Sequence, residues 1–94
     1  MLNQTNDFYK RLEKQLSDSS AWPSLYKFKF ILKSDSGEIT NLKKMFDDID
    51  ADISSNFSSS KNFTSITVTA KMKSAEDIIK KYKSASEIEG IISL

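Results

Sequence analysis

The sequence predicts a single α+β domain in which a β-α-β-β-α-β unit follows an N-terminal helix. Three observations lead to this class. The chain has 94 residues, enough for one domain and too few for two. Apolar and polar residues alternate through residues 25–33 and 63–72, as in half-buried strands. Around residues 39–49 and 75–85 the apolar residues recur instead with the spacing of an amphipathic helix.

An amphipathic helix is predicted at the N-terminus. Its apolar stripe recurs at i, i+4 and i+8 and is widened by one neighbour: Phe8, Leu12, Leu16 and Tyr9. Thr5 or Asn6 is a candidate N-cap for it. The polar stretch 17–20 ends the helix, so we assign residues 1–20 to this helix and a linker and residues 21–94 to the domain.

The first strand is predicted directly after Trp22-Pro23, because a residue that precedes proline favours extended backbone. One face of this strand is aromatic and apolar: Tyr26, Phe28, Phe30 and Leu32. Several aromatic residues on one strand face form a core more often than a binding platform. We therefore expect this face to be buried.

A second helix is predicted from apolar residues at i, i+3, i+7 and i+10: Ile39, Leu42, Phe46 and Ile49, with Met45 beside them. Acidic residues crowd its C-terminal end, where the helix dipole disfavours them: Asp47, Asp48, Asp50 and Asp52. An EF-hand loop starting at Asp48 is excluded, since Ile53 and Ser59 stand where it needs glycine and glutamate. A looser cation site is the alternative to a solvated acidic loop.

The remaining sequence predicts two strands, a helix and a short final strand over residues 90–94. Ile53 and Phe57 mark the apolar side of the first of these strands. The second strand buries Ile66, Val68, Ala70 and Met72. Ser74 to Asp77 has the capping-box form [ST]-x-x-[DE]. The helix that follows buries Ile78, Ile79, Tyr82 and Ala85 and turns Lys80, Lys81 and Lys83 outward.

This order of elements is that of the ferredoxin-like plait. Right-handed crossovers place both helices on one face of a four-stranded antiparallel sheet in the order 4-1-3-2. The other face is open, unless the N-terminal helix covers part of it or wraps an edge strand. We call it the open sheet face and take it as the candidate interaction surface. Its residues are Lys27, Lys29, Ile31, Phe63, Ser65, Thr67 and Lys71.

The composition argues against catalysis and against cofactors. The chain has no cysteine and no histidine, which removes thiolate nucleophiles, the commonest general base and the commonest metal ligand. Two glycines cannot form a phosphate-binding loop. We therefore expect no enzyme, no cofactor and no metal. The longest unbroken apolar run is residues 30–32, far below a membrane span, so we expect a cytoplasmic protein with no membrane partner.

Four segments carry a resemblance to a known family. They are P-x-x-Y-x-F-K-F-I from Pro23, S-S-K-N-F-x-S-I-T-V from Ser59, S-x-E-x-I-x-x-x-Y from Ser74 and I-x-x-L from Ile91. Over about residues 22–94 the chain resembles the YbeD-like family of small uncharacterised bacterial proteins. Trp22-Pro23 after an Asp7-Phe8-Tyr9 helix resembles its Bacteroidetes-type form. Lys61 stands where the family tends to have glycine, so Asn62 is the residue suited to a left-handed turn.

The resemblance implies a regulatory role, since the family's fold is similar to the ACT domain, a module that senses amino acids. We therefore expect a small regulatory or protein-interaction module whose partner is a protein or a small metabolite. The alternative is an RNA-binding module of RRM-like topology, with Lys27, Lys29 and Lys71 beside exposed Phe63. The absent RNP1 motif and a net charge of +1 argue against nucleic acid.

Self-association is predicted from the sheet edges. The strands over 53–57 and 91–94 lie at the two edges in the expected order, and unpaired edges invite strand addition. We expect a homodimer. If the N-terminal helix occupies the same surface within one chain, the protein is a monomer instead.

Overall fold

Three helices and four strands follow one another in the predicted order in the computed structural model, which describes the backbone of residues 2–19 and 21–94 and the side chains of residues 7–19 and 21–94. They are α1 (Leu2–Ser19), β1 (Ser24–Lys33), α2 (Glu38–Lys44), β2 (Ala51–Phe57), β3 (Phe63–Met72), α3 (Ala75–Ala85) and β4 (Ile92–Ser93). All the strands are antiparallel and lie in the order β2-β3-β1-β4. The predicted ferredoxin-like plait and its strand order are confirmed.

The two long central strands bury the faces that their alternation predicts. β1 pairs with β3 over ten residues, which sets Phe28 opposite Val68 and Phe30 opposite Ile66. All four side chains are fully buried. A slip of one residue would turn each apolar set to the solvent side, so burial of both faces specifies this register.

An aromatic cluster around Phe28 joins the sheet to the helices. The Phe28 ring centroid lies 4.9 Å from that of Tyr26, 5.1 Å from that of Phe46 and 5.3 Å from that of Tyr82. These rings come from β1, from the turn after α2 and from α3. The cluster therefore packs three separate parts of the chain together in one core.

Helix α2 is shorter than its apolar pattern predicts, because it ends at Lys44 and the chain continues in turns through Asp48. Lys81 contacts this end from α3. Its Nζ donates 2.6 Å hydrogen bonds to the Met45 carbonyl and to the Asp48 carboxylate, and its side chain is only 16% exposed. The prediction that Lys81 points outward is therefore wrong. Unpaired carbonyls at a helix C-terminus attract a cation, and Asp48 adds a negative charge.

The N-cap of α3 agrees with the sequence prediction, whereas the turn between β2 and β3 does not. The predicted cap of α3 is confirmed, since the Ser74 hydroxyl accepts a 3.2 Å hydrogen bond from the Asp77 N–H. In the turn between β2 and β3 the left-handed residue is Lys61, with φ 63°, and the expectation for Asn62 is wrong. The Asn62 carbonyl accepts a 3.0 Å hydrogen bond from the Ser34 N–H, just before β3 begins at Phe63.

Helix α1 packs against α3, on the helix side of the sheet. Its buried stripe is Tyr9, Leu12 and Leu16, while Phe8 is 57% exposed. Positions i, i+3 and i+7 span a narrower arc of a helix than the predicted stripe, so Phe8 falls outside the contact. The helix begins at Leu2, so the cap expected at Thr5 or Asn6 is wrong.

The position of α1 determines whether the open sheet face is covered. The Trp22 Nε1–H donates a 3.0 Å hydrogen bond to the Leu16 carbonyl and ties the end of α1 to the start of β1. With α1 on α3, the expectation that it covers the open sheet face is wrong. On the helix side, Phe8, Tyr9 and Leu12 line a cavity together with Ser93 of the edge strand β4 and with Leu94. In the part of the chain that the structure describes, no helix is both long enough and apolar enough to cross a membrane.

Candidate functional site: the open sheet face and a tyrosine-lined cavity

The open sheet face brings the predicted residues of two neighbouring strands together. The register of β1 and β3 sets Lys27 beside Thr69, Lys29 beside Thr67 and Ile31 beside Ser65. These residues alternate with the buried core residues of the same strands. Lys71 and Phe63 extend the face at opposite ends of β3. The predicted residues therefore form one continuous surface on the side of the sheet away from the helices.

Strand β2 adds polar residues to this face that lie outside the predicted set. Its register with β3 sets Asp52 beside Thr69, Ser54 beside Thr67 and Asn56 beside Ser65. Asp52 therefore lies in the same cross-strand row as Lys27 and offsets part of the lysine charge. These residues could have been predicted from the alternation of side chains in β2 once the strand order was known.

Apolar side chains lie at both ends of the open sheet face. Ile31 is half-buried and pairs with Ile92 of β4, which is 49% exposed. Phe63, beyond this row, is 42% exposed. At the other end Leu25 of β1, which lies opposite Lys71, is 72% exposed. The face therefore offers ammonium and hydroxyl groups in its middle and apolar side chains at both ends. Ile92 was not predicted here, because the two-residue strand β4 is too short to show an alternation.

The acidic residues after α2 do not form a metal site. Among the residues that the structure describes, no group of three or more carboxylates lies close enough to share a metal ion. Asp48 is hydrogen-bonded to Lys81, and this bond and charge hold the pKa of the Asp48 carboxyl below its ordinary value. The cation alternative for these residues therefore has no geometric support.

A second feature is a hydroxyl pair under the helices. The hydroxyl groups of Tyr26 and Tyr82 lie 2.7 Å apart and share a hydrogen bond. Tyr82 is buried, and burial together with the hydrogen bond to Tyr26 raises the pKa of the Tyr82 phenol well above its ordinary value. The sequence placed both residues in the core but did not pair them. A buried tyrosine hydroxyl needs a polar partner, and this requirement could have suggested the pairing of the two tyrosines.

This hydroxyl pair borders a cavity of about 210 Å³ between α1, α3 and the sheet. Phe8, Tyr9 and Leu12 supply its α1 side. Two hydroxyl groups carry two hydrogens, and the bond between Tyr26 and Tyr82 uses one of them. The other is free to donate to a hydrogen-bond acceptor. Tyr9 and Ser93 also line the cavity, which therefore combines apolar walls with several hydroxyl-bearing residues.

The raised pKa of Tyr82 predicts a loss of stability in alkali. The unfolded phenol ionises at about pH 10, whereas the folded phenol keeps its proton to higher pH. Above about pH 10 the unfolded state therefore binds fewer protons, and the free energy of unfolding falls as the pH rises towards the folded pKa. We expect urea midpoints at about pH 8 and about pH 11 to differ less in Tyr82→Phe than in the native sequence. An equal decrease in both proteins would contradict this role.

The fold and this surface define the class of protein: a small α+β module with a ferredoxin-like plait, an N-terminal helix on the helix side and an open sheet face. Residues 18–94 match the family described as "Protein of unknown function (DUF493)". The chain belongs to this family, which is that of the YbeD-like proteins. The match covers all four strands and helices α2 and α3. No significant match exists among curated proteins or among solved structures.

Proposed function

We propose that this protein is a non-enzymatic regulatory or protein-interaction module that binds its partner through the open sheet face. One observation carries the proposal. Helix α1 packs on α3, so no described element covers the face that holds Lys27, Lys29 and Ile31. Ammonium groups beside exposed apolar side chains suit a partner surface that is acidic with an apolar border.

The titratable groups support binding over acid–base catalysis. A catalytic acid or base works best with a pKa near the operating pH. The pKa values of two groups move away from neutral pH: that of Asp48 is lowered and that of Tyr82 is raised. Both groups therefore keep one protonation state around neutral pH. The chain also has no histidine and no cysteine to take these roles.

The finer part of the proposal concerns regulation. The resemblance of the family's fold to the ACT domain supports the sensing of a small metabolite, in a cytoplasmic protein of the Bacteroidetes-type form. The cavity beside Tyr26 and Tyr82 supports a small, largely apolar ligand that carries a hydrogen-bond acceptor. Its volume of about 210 Å³ restricts such a ligand to a small molecule.

The test of the interaction proposal compares two charge reversals. Lys27→Glu/Lys29→Glu changes the open sheet face, and Lys43→Glu/Lys44→Glu changes two exposed residues of α2 by the same charge. Each purified protein is used as bait in lysate of the source cell, after circular dichroism confirms folding. We expect the native chain and the α2 variant to capture the same protein and the sheet-face variant to lose it. Capture by all three baits, or no capture by the native chain, contradicts the proposal.

The RNA-binding alternative rests on one observation: Lys27, Lys29, Lys71 and Phe63 do share the open sheet face. Three lysines that neutralise phosphates of a single strand give a slope of about −2 in log K against log salt. Fluorescence anisotropy with a labelled single-stranded RNA at low and moderate salt measures this slope. Flat or absent binding leaves the interaction module as the function, whereas a slope near −2 favours RNA.

A further inference from the structure

Strand β2 has one free edge whose backbone polarity can be assigned. It lies at the end of the sheet and pairs with β3 alone among the described residues. The Ser58 N–H donates a 2.8 Å hydrogen bond to the Phe63 carbonyl, just beyond the strand. Since antiparallel hydrogen bonding alternates along a strand, Asp52, Ser54 and Asn56 also bond towards β3. The outward backbone groups therefore belong to Ala51, Ile53, Ser55 and Phe57.

We propose that this edge pairs with the same edge of a second copy of the chain, antiparallel and about a twofold axis at Ser54. This register sets Ala51 opposite the partner's Phe57 and Ile53 opposite the partner's Ser55. All four outward residues of each strand then form hydrogen-bonded pairs. If the twofold axis instead lay at Ser55, Ala51 would have no pairing residue within the partner's β2. The dimer has one continuous eight-stranded sheet, with both open sheet faces on the same side.

The side chains of β2 fit this register on the helix side of the sheet. Phe57 is 68% exposed in the single chain, although it lies on the same side as half-buried Ile53. In the pair it lies beside the partner's Ala51 and diagonally next to the partner's Ile53, within reach of an aromatic ring. A large exposed apolar residue at the end of an edge strand thereby becomes covered.

The same register also suits the β2 side chains on the open-face side of the sheet, where it opposes no like charges. Asp52 lies opposite the partner's Asn56, and the two Ser54 residues lie opposite each other, so no like charges oppose. Edge strands that avoid pairing use charged side chains, above all lysine, or proline or bulges. Ala51–Phe57 has neither lysine nor proline, and its one charged residue, Asp52, offers only slight protection. The other edge of the sheet is β4, whose two residues are too few for a stable pairing.

The proposal does not rest on a function for the open sheet face, because the pairing uses the strand edge and leaves that face exposed. It makes the homodimer expected from the sequence specific, since it names the strand and the register. Helix α1, which was the argument for a monomer, packs on α3 and does not cover β2.

Single cysteines test the register, because the native chain has none. In a non-hydrogen-bonded pair at the axis the two Ser54 Cα atoms lie about 4.5 Å apart, within the range of a disulfide. The two Asn56 residues are separated by about 13 Å, beyond that range. We expect Ser54→Cys to form a covalent dimer on mild oxidation and Asn56→Cys to stay uncrosslinked on a non-reducing gel. Crosslinking of Asn56→Cys at an equal rate, or of neither variant, overturns the proposed register.

The mass in solution tests the pairing itself. The Ser55 N–H points outward, so Ser55→Pro removes an edge donor without removing a hydrogen bond to β3. We expect light scattering to give a dimer for the native chain and for the control Ser55→Ala, and a monomer for Ser55→Pro. Circular dichroism confirms that each variant is folded. A native chain that stays monomeric over the concentration range, or a dimeric Ser55→Pro, overturns the proposal.

Discussion

Replacing Phe28 with alanine is expected to lower the free energy of unfolding by about 3–5 kcal/mol. The Phe28 side chain is fully buried and contacts rings from β1, from the turn after α2 and from α3. The substitution therefore removes apolar contacts and leaves a cavity where three parts of the chain meet. A domain of this size has a stability of only about 5–15 kcal/mol, so the loss is a large part of the total.

Urea denaturation followed by circular dichroism measures this effect, with Phe63→Ala as the matched control. Both changes remove the same group from a strand of the sheet, but Phe63 is 42% exposed on the open sheet face. We expect Phe63→Ala to cost less than about 1 kcal/mol. Equal losses in the two variants would show that the assignment of inner and outer sheet faces is wrong.

Replacing Lys81 with methionine is expected to cost about 1–3 kcal/mol, the second-largest effect. Methionine keeps the length and apolar character of the side chain and removes only the ammonium group. The Met45 carbonyl then loses its donor, and Asp48 loses the positive charge that lies 2.6 Å from its carboxylate. Chemical denaturation of both proteins at neutral pH gives the difference.

The control for this prediction is Lys80→Met on the same helix. Lys80 is exposed, and its 3.8 Å ion pair with exposed Glu76 is of the kind that contributes little. We expect Lys80→Met to change stability by less than about 0.5 kcal/mol. A loss as large as that of Lys81→Met would show that positive charge on α3 matters and the specific contact does not.

Acid adds a second readout for Lys81. The hydrogen bond from Lys81 lowers the pKa of Asp48 in the folded state. This contribution is present above the unfolded carboxyl pKa and is lost as the pH falls through the folded pKa. The difference between the native chain and Lys81→Met should therefore be smaller in acid than at neutral pH. A difference that does not change with pH would mean that Asp48 takes no part.

Much of the fold could be predicted, and of the candidate site the open sheet face could be predicted but the cavity could not. The predictable features depend on residues close in sequence. The alternation in β1 and β3 separates Phe28 and Phe30 from Lys27 and Lys29 whatever lies around them. Ser74 caps α3 because its partner Asp77 is three residues away. The residues of the open sheet face follow from the same alternation once the strand order is known.

The other features required contacts between distant residues. The cavity depends on Tyr26 and Tyr82, which come from β1 and α3 and meet only in the folded chain. Lys81 has the spacing of an outward residue on its own helix, and only the end of α2 beside it draws its ammonium group inward. The residue pattern of α1 does not indicate whether its apolar stripe packs on the sheet or on α3.

The sequence by itself determined which faces of the strands and helices are apolar, because side-chain periodicity is a property of the local backbone. The tertiary structure alone decided which of those faces are covered, because burial depends on what packs against them. Phe57 shows the difference: its alternation with Ile53 assigned it to the apolar side of β2, yet it lies at the sheet edge and is exposed there. An apolar residue is buried only where other elements cover it, and Phe57, which has Thr64 of β3 on one side, stays 68% exposed.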